Sequence, residues 1–246
     1  MNLVFRVVKQ FVRLWFTSWS ERWFNVRSAE YPSRWVKRIF YVLLACSIVV
    51  ADDLGLSEKT LTDAALQYGE DARTRLLNWK SLLNSDRNIG EKQKLKKVNQ
   101  FFNEMVFVDD IYHWSKTDYW ASPVEFLATN GGDCEDFAIA KYFTLIKLGV
   151  PESKLRITYV KALRLNQAHM VLTYYKTPSA EPLVLDNLVT VIQPASLRQD
   201  LAPVYSFNGD GLWLAKQRGL GKKLGKSSKL NMWRDLRRRM KQQSAQ

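Results

Sequence analysis

The chain has 246 residues, enough for one domain of ordinary size with appendages. Hydrophobic residues make up 46% and aromatics 13%, which excludes global disorder. The net charge of +13 sits at the ends: residues 1–38 hold eight Lys/Arg against two acids, and 216–246 hold eleven against one, so 39–215 are net −3. A basic groove with interleaved aromatics is therefore missing from the part that folds, and nucleic acid is not expected as a partner.

Residues 1–38 alternate basic and aromatic side chains (Phe5, Phe11, Trp15, Phe16, Trp19, Trp23, Phe24), a pattern suited to a membrane surface. An apolar stretch at 39–51 follows Lys37-Arg38; it is shorter than the roughly 20 residues a membrane span needs and matches the apolar part of a secretory signal. Val49 and Ala51 offer a small-residue cleavage site. Two further readings fit the same stretch: an uncleaved signal anchor, and lipid attachment at Cys46, since Leu43-Leu44-Ala45-Cys46 approximates a lipobox. A core helix of the domain is the plain structural alternative. All three export readings put the folded part outside the cytoplasm, with membrane association through residues 1–51.

Residues 52–215 are expected to form the folded domain. Apolar spacing predicts helices over 57–83, with Gly69 as a break, and over 92–106 with Leu95, Val98, Phe101, Phe102 and Met105 inward. An irregular aromatic segment at 108–130 contains Tyr112, His113, Trp114, Tyr119 and Trp120. Within it Ser122-Pro123-Val124-Glu125 reads as a helix start: Ser122 caps, Pro123 takes the first turn, and Glu125 completes a capping box. A helix over 134–148 is stopped by Gly149 and Pro151. The character then changes to β-branched and aromatic runs at 155–163, 168–176 and 183–189, with 191–192 and 204–207 as a further hairpin. Helices first and an antiparallel sheet second describe an α+β fold. Residues 216–246 are expected as a solvated basic tail, partly helical near 233–240 and outside any cleft.

Gly131-Gly132-Asp133-Cys134-Glu135-Asp136 carries the most chemistry. The glycines allow a sharp turn, and Cys134 falls at the start of a helix, where unpaired N–H groups and the dipole favour an anion. The same N–H groups suit an oxyanion. The chain has only two histidines. His169 starts a strand 35 residues on, and Asp186 lies near the centre of the next strand, so adjacent antiparallel strands can bring them together as base and orienting acid. His113 is the competing base, with no third residue evident to orient it. Trp120 or Trp114 is a candidate to wall the cleft. The order Cys134, His169, Asp186 does not choose the acyl acceptor. Transglutaminase or amidase chemistry, and an inactive membrane-anchored binding module, stay open on residues alone.

The runs Trp120-Ala-Ser-Pro-Val-Glu-Phe-Leu, Gly-Gly-Asp-Cys134-Glu-Asp136-Phe-Ala, Ala-His169-Met-Val-Leu and Leu-Asp186-Asn resemble the bacterial transglutaminase-like cysteine proteinases, from about Asp109 to Leu214. The resemblance implies a papain/transglutaminase-like core and a periplasmic thiol protease. Its substrate would be a large surface adhesin, cut in its N-terminal region at a small-residue site to release it and disperse biofilm. It also implies a requirement for calcium, and inhibition by an inner-membrane receptor that senses cyclic di-GMP. Calcium has separate support in the residues: Asp133, Glu135 and Asp136 surround Cys134, and unneutralised they disfavour a thiolate. A plainer reading is that acids simply suit a helix's first turn.

Overall fold

A computed structural model of the chain describes residues 54, 56–85, 87–215 and 221–244. The expectations for residues 1–38 and 39–51, Cys46 included, lie outside the described residues. Among the described residues no helix is long and apolar enough to cross a membrane.

Helices α1 (Glu58–Tyr68) and α2 (Glu70–Ser85) are separated at Gly69, whose φ of 86° few other residues tolerate. Helix α3 (Glu91–Asn103) follows, burying Leu95, Val98 and Phe102. The buried stripe of α1–α2 is Leu61, Ala64, Ala72, Leu76, Trp79 and Leu83, whereas Leu66 and Leu77 point to solvent. Trp79 can be buried because its indole N–H donates to Thr144 Oγ1 at 2.9 Å.

Strand β1 (Val106–Phe107) pairs in parallel with β2 (Gly131–Gly132). Between them lie α4 (Asp110–His113) and α5 (Pro123–Ala128). The α5 start is the expected capping box: Ser122 Oγ accepts from Glu125 N at 3.2 Å, and Glu125 Oε2 accepts from Ser122 N at 2.7 Å. Arg75 of α2 donates to the carbonyls of Leu127 and Ala128 at 2.6 and 2.8 Å, satisfying the end of α5. Helix α6 (Cys134–Lys147) comes next, buried along most of its length.

The remaining strands are β3 (Leu155–Ala162), β4 (Gln167–Tyr174), β5 (Leu183–Leu185), β6 (Gln193–Pro194), β7 (Leu201–Phe207), β8 (Leu212–Leu214) and β9 (Lys223–Gly225). They form one antiparallel sheet in the order β6-β5-β4-β3-β7-β8-β9, so the α+β expectation holds. Alternation along β3 and β4 splits the sheet's side chains. Ile157, Met170 and Leu172 join the main core with the helices, while Val160, Ala162 and Val171 form a smaller cluster on the other face. Strand β5 ends at Leu185, so Asp186 stands one residue past the strand rather than near its centre.

The C-terminal segment departs from the expected solvated tail. Helix α7 (Asn231–Gln243) buries Trp233 and Leu236, with the Trp233 ring stacked on Phe143 at 5.6 Å and edge-on to Phe207 at 5.2 Å. Trp233, Leu236 and Met240 share one face by helical spacing, and five cationic residues on the remaining surface hide that stripe in the composition. Leu236→Ala is expected to cost ~2–5 kcal/mol of stability in urea unfolding, as for a buried leucine. A loss below about 0.5 kcal/mol would return the segment to solvent.

Candidate active site

Cys134 is the first residue of α6 and a free thiol. The turn into it is made by Asn130, at a left-handed φ of 64°. The glycines that follow are required for close approach instead. A Cβ on Gly131 would collide with the Val106 carbonyl of β1, and one on Gly132 with the Asp136 carboxylate. Gly131 thus lets β1 lie against the loop before the helix, and Gly132 makes room for Asp136.

The N-cap residue of α6 is Asp133, yet its side chain makes no capping bond. An aspartate there ordinarily accepts from the first-turn N–H groups. Here Asp133 Oδ1 is buried with no partner, and so are Asp136 Oδ2 and Asp110 Oδ1. Oxygens of these three carboxylates lie within 4.8 Å of one another. Backbone N–H groups hold the other oxygen of two of them: Tyr119 donates to Asp110 Oδ2, and Ala121 donates to Asp136 Oδ1 at 2.6 Å. Asp118 and Glu135 form a second group that shares Asp110. Glu135 also accepts from the Cys134 thiol at 3.1 Å.

Burial and mutual repulsion raise Asp110, Asp118, Asp133 and Asp136. Asp110 is pushed up to about 6, chiefly by burial, with Glu135, Asp118 and Asp109 adding to it. Burial and then Glu135 raise Asp133 further, and burial drives Asp136 well above the carboxylate range. The Cys134 thiol is driven upward as well, first by burial and then by Glu135 and Asp133, with the backbone N–H of Met170 opposing. With protein groups alone, this surrounding disfavours a thiolate. The orphaned oxygens, hard donors at close range, fit a divalent cation of the calcium type.

Strand β4 carries the second half of the site. Met170, in the core against which Cys134 packs, directly follows His169, which is buried at 2% exposure. Asp186 Oδ1 accepts from His169 Nε2 at 2.8 Å and from Leu188 N at 3.0 Å, and its Oδ2 accepts from Arg198 Nη2 at 2.7 Å. Burial opposes the charge on Asp186, but the bonds from His169, Arg198 and Leu188 outweigh it and hold the group at about 2. Arg198 is in turn fixed by Asp200 at 2.9 and 2.7 Å. From the helix side, Asn103 donates to the Asp186 carbonyl at 2.9 Å and accepts from Lys141 at 2.7 Å. Burial lowers Lys141 to about 7, with the charge of Asp186 opposing.

His113 has a different employment. Its Nε2 meets Thr129 Oγ1 at 2.8 Å, tying α4 to the segment before Cys134. Trp120 is stacked on Phe207 at 5.5 Å, a packing role. Trp114 packs against Tyr119 at 4.7 Å. Of the acids singled out in sequence, Asp133 and Asp136 converge, and Glu135 faces the thiol and the neighbouring acids. Sequence reading missed Asp110 and Asp118. They lie 23 and 15 residues before Asp133 with no local pattern, and only the β1–β2 pairing brings α4 alongside the start of α6. It also missed Arg198 and Asn103, whose roles depend on where β5 ends.

The family model of the bacterial transglutaminase-like cysteine proteinases (BTLCP) matches residues 79–199. No curated protein is significantly similar. Solved structures of Legionella pneumophila LapG are similar: one is 50% identical, covers 74% of this chain and 96% of its own, and superimposes with a TM-score of 0.65. An EGTA-treated LapG is 51% identical, with the same coverages and a TM-score of 0.66. A calcium-bound LapG is 50% identical, covers 74% and 98%, and has a TM-score of 0.64. With half of its residues identical over nearly the full length of these relatives, and with the fold they share, this chain belongs to the bacterial transglutaminase-like cysteine proteinases.

Proposed function

We propose that the protein is a calcium-dependent periplasmic endopeptidase in which Cys134 is the nucleophile, His169 the base and Asp186 the orienting acid. The observation that carries this reading is the packing of α6 on β4: Cys134, at a helix start, lies against the core that holds Met170, the neighbour of His169, and His169 is hydrogen-bonded to an ionised Asp186. With Asp186 ionised, Nε2 of His169 must donate to it, which leaves Nδ1 free to accept the thiol proton. The sulfur then attacks the scissile carbonyl, whose developing negative charge faces first-turn N–H groups that Asp133 leaves uncapped. The C–N bond breaks, the leaving amine takes the proton from His169, and a thioester remains. Water, losing a proton to His169, attacks the thioester; the acid is released and Cys134 is restored.

Asp110, Asp133 and Asp136 would hold calcium, with Asp118 and Glu135 at its margin and backbone or water oxygens completing the six to eight ligands it prefers. Bound there, the ion would offset the negative charge beside the thiol. The plainer reading, acids complementing a helix dipole, leaves their burial and their three orphaned oxygens without a cause. The family resemblance and the calcium-bound relative support this assignment. The same resemblance suggests the substrate: the N-terminal region of a large surface adhesin, cut to release it and disperse biofilm. An inner-membrane cyclic di-GMP receptor would hold the enzyme inactive. Incubation of the purified protein with the N-terminal region of a co-encoded large adhesin tests the substrate. Absence of a discrete cut under conditions where a generic peptide is cleaved would refute it.

Cys134→Ala should abolish peptide cleavage with the fold intact. Asp186→Asn should lower kcat by several orders of magnitude without unfolding, because the amide favours the wrong imidazole tautomer. His169→Ala should also be inactive, whereas His113→Ala should keep turnover while losing some stability. The reverse outcome for the two histidines would exchange their roles.

Chelation should inactivate the enzyme reversibly, and calcium should restore it better than magnesium. Calcium at a hundred times its Kd should add about 2.7 kcal/mol of stability, read as a rise in Tm. Asp110→Asn and Asp136→Asn should both reduce that rise. Full activity after exhaustive chelation, with no calcium-dependent Tm, would leave the acids a purely structural role.

A further inference from the structure

The carboxylate cluster is gripped from the far end of the chain. Arg239 of α7 donates through Nη2 to the Trp120 carbonyl at 2.5 Å, and through Nη1 to the Tyr119 hydroxyl and Glu125 Oε2, both at 2.7 Å. Its guanidinium also lies 4.4 Å from the centroid of the Tyr119 ring.

The Trp120 carbonyl and the Ala121 N–H are opposite ends of one planar trans peptide group. That N–H donates to Asp136 Oδ1 at 2.6 Å. A single rigid unit therefore joins the guanidinium to Asp136. Tyr119 repeats the arrangement one residue earlier, with its hydroxyl on Arg239 and its N–H on Asp110 Oδ2. Two of the three converging carboxylates are thus aimed by backbone N–H groups whose own segment is held by Arg239.

The ion pair with Glu125 is not where the effect lies, because both side chains remain about a quarter exposed (24% and 22%) and such pairs contribute little. Orientation and polarisation are. A cation on the carbonyl end of a peptide strengthens the bond its N–H end donates. The planar fork of arginine spans three acceptors at once, which the single ammonium of lysine cannot do with the same geometry. Helix α7 itself lies outside residues 79–199, where the family model matches.

We propose that Arg239 is a positioning residue that sets the affinity of the Asp110–Asp133–Asp136 cluster for calcium, through the Tyr119–Ala121 segment. The proposal rests on the calcium reading above, and it makes the C-terminal helix a working part of the site.

Isothermal titration of calcium into metal-free full-length protein tests it, with Arg239→Met, Arg239→Lys and Arg237→Met compared with wild type. Arg237 lies on the same helix, near the Trp233 and Phe143 rings at 5.9 and 5.7 Å, and so reports on helix docking. Arg239→Met should weaken calcium ~10–100-fold, the usual effect of losing a group that orients metal ligands. Arg239→Lys should fall between Met and wild type, and Arg237→Met should stay within about twofold of wild type on the same scale. The calcium concentration for half-maximal peptide cleavage should move with Kd, while kcat at saturating calcium holds. A folded Arg239→Met with wild-type Kd would overturn the proposal, as would an equal loss in Arg237→Met. Should Arg239→Met not fold, a wild-type Kd in Arg239→Lys overturns it. Wild-type protein that takes up no calcium sinks the calcium reading and this proposal together, whereas normal wild-type uptake with an unaltered variant sinks only the proposal.

Discussion

Asp110, Asp133 and Asp136 each bury a carboxylate oxygen without a protein partner, at the start of the helix that carries Cys134. Burying one unpaired charge costs several kcal/mol even after relaxation, and three within 4.8 Å also repel one another. Without a cation, protonation is the remaining escape, which is why all three are shifted upward. Much of the local architecture keeps this unfavourable cluster together. The parallel β1–β2 pairing sets α4 beside α6; Gly131 lets the two backbones touch, and Gly132 leaves room for the Asp136 carboxylate. The capping box of α5 anchors the segment whose N–H groups aim two of the acids.

The proposed base, His169, is treated in the opposite way. Asp186 is equally buried, yet four groups of the protein satisfy it: His169, Leu188 and Arg198 at its carboxylate, and Asn103 at its carbonyl. Its ionisation needs nothing from outside, so His169 is oriented whenever the chain is folded. Arg198 is itself pinned by Asp200, and Lys141 supports Asn103, which spreads the positioning across the sheet and two helices. Every carboxylate oxygen of Asp186 therefore has a donor within the protein, and the cluster beside Cys134 does not.

The difference between what the sequence discloses and what it hides follows from contact range. Local chemistry was readable: the Gly69 break, the Ser122–Glu125 box, the helix beginning at Cys134, and the run of strands ending in an antiparallel sheet. His169 and Asp186 were legible as a pair because neighbouring strands keep them near in sequence as well as in space. Asp110 and Asp118 were not, since their approach to Asp133 depends on a two-residue parallel pairing that no periodicity announces. Helix α7 was misjudged for another reason. Its apolar stripe is only Trp233, Leu236 and Met240, while its charge of five Arg/Lys to one Asp dominates any composition window. Burial was decided by three side chains and concealed by the others.

These two treatments divide the site into a constitutive and a conditional half. The imidazole–carboxylate pair is complete on folding. The thiol's anion is disfavoured first by burial and then by Glu135 and Asp133, and neutralising those acids would remove the second contribution. On the proposed reading, activity then follows cation occupancy rather than folding, and any group that aims the acids acts on occupancy first. Arg239 fits that position, because it reaches the cluster through the Tyr119–Ala121 segment and touches neither the thiol nor His169 in its hydrogen bonds. A basic C-terminal helix, outside the family's matched core, would in this way tune when the nucleophile forms without changing how it reacts.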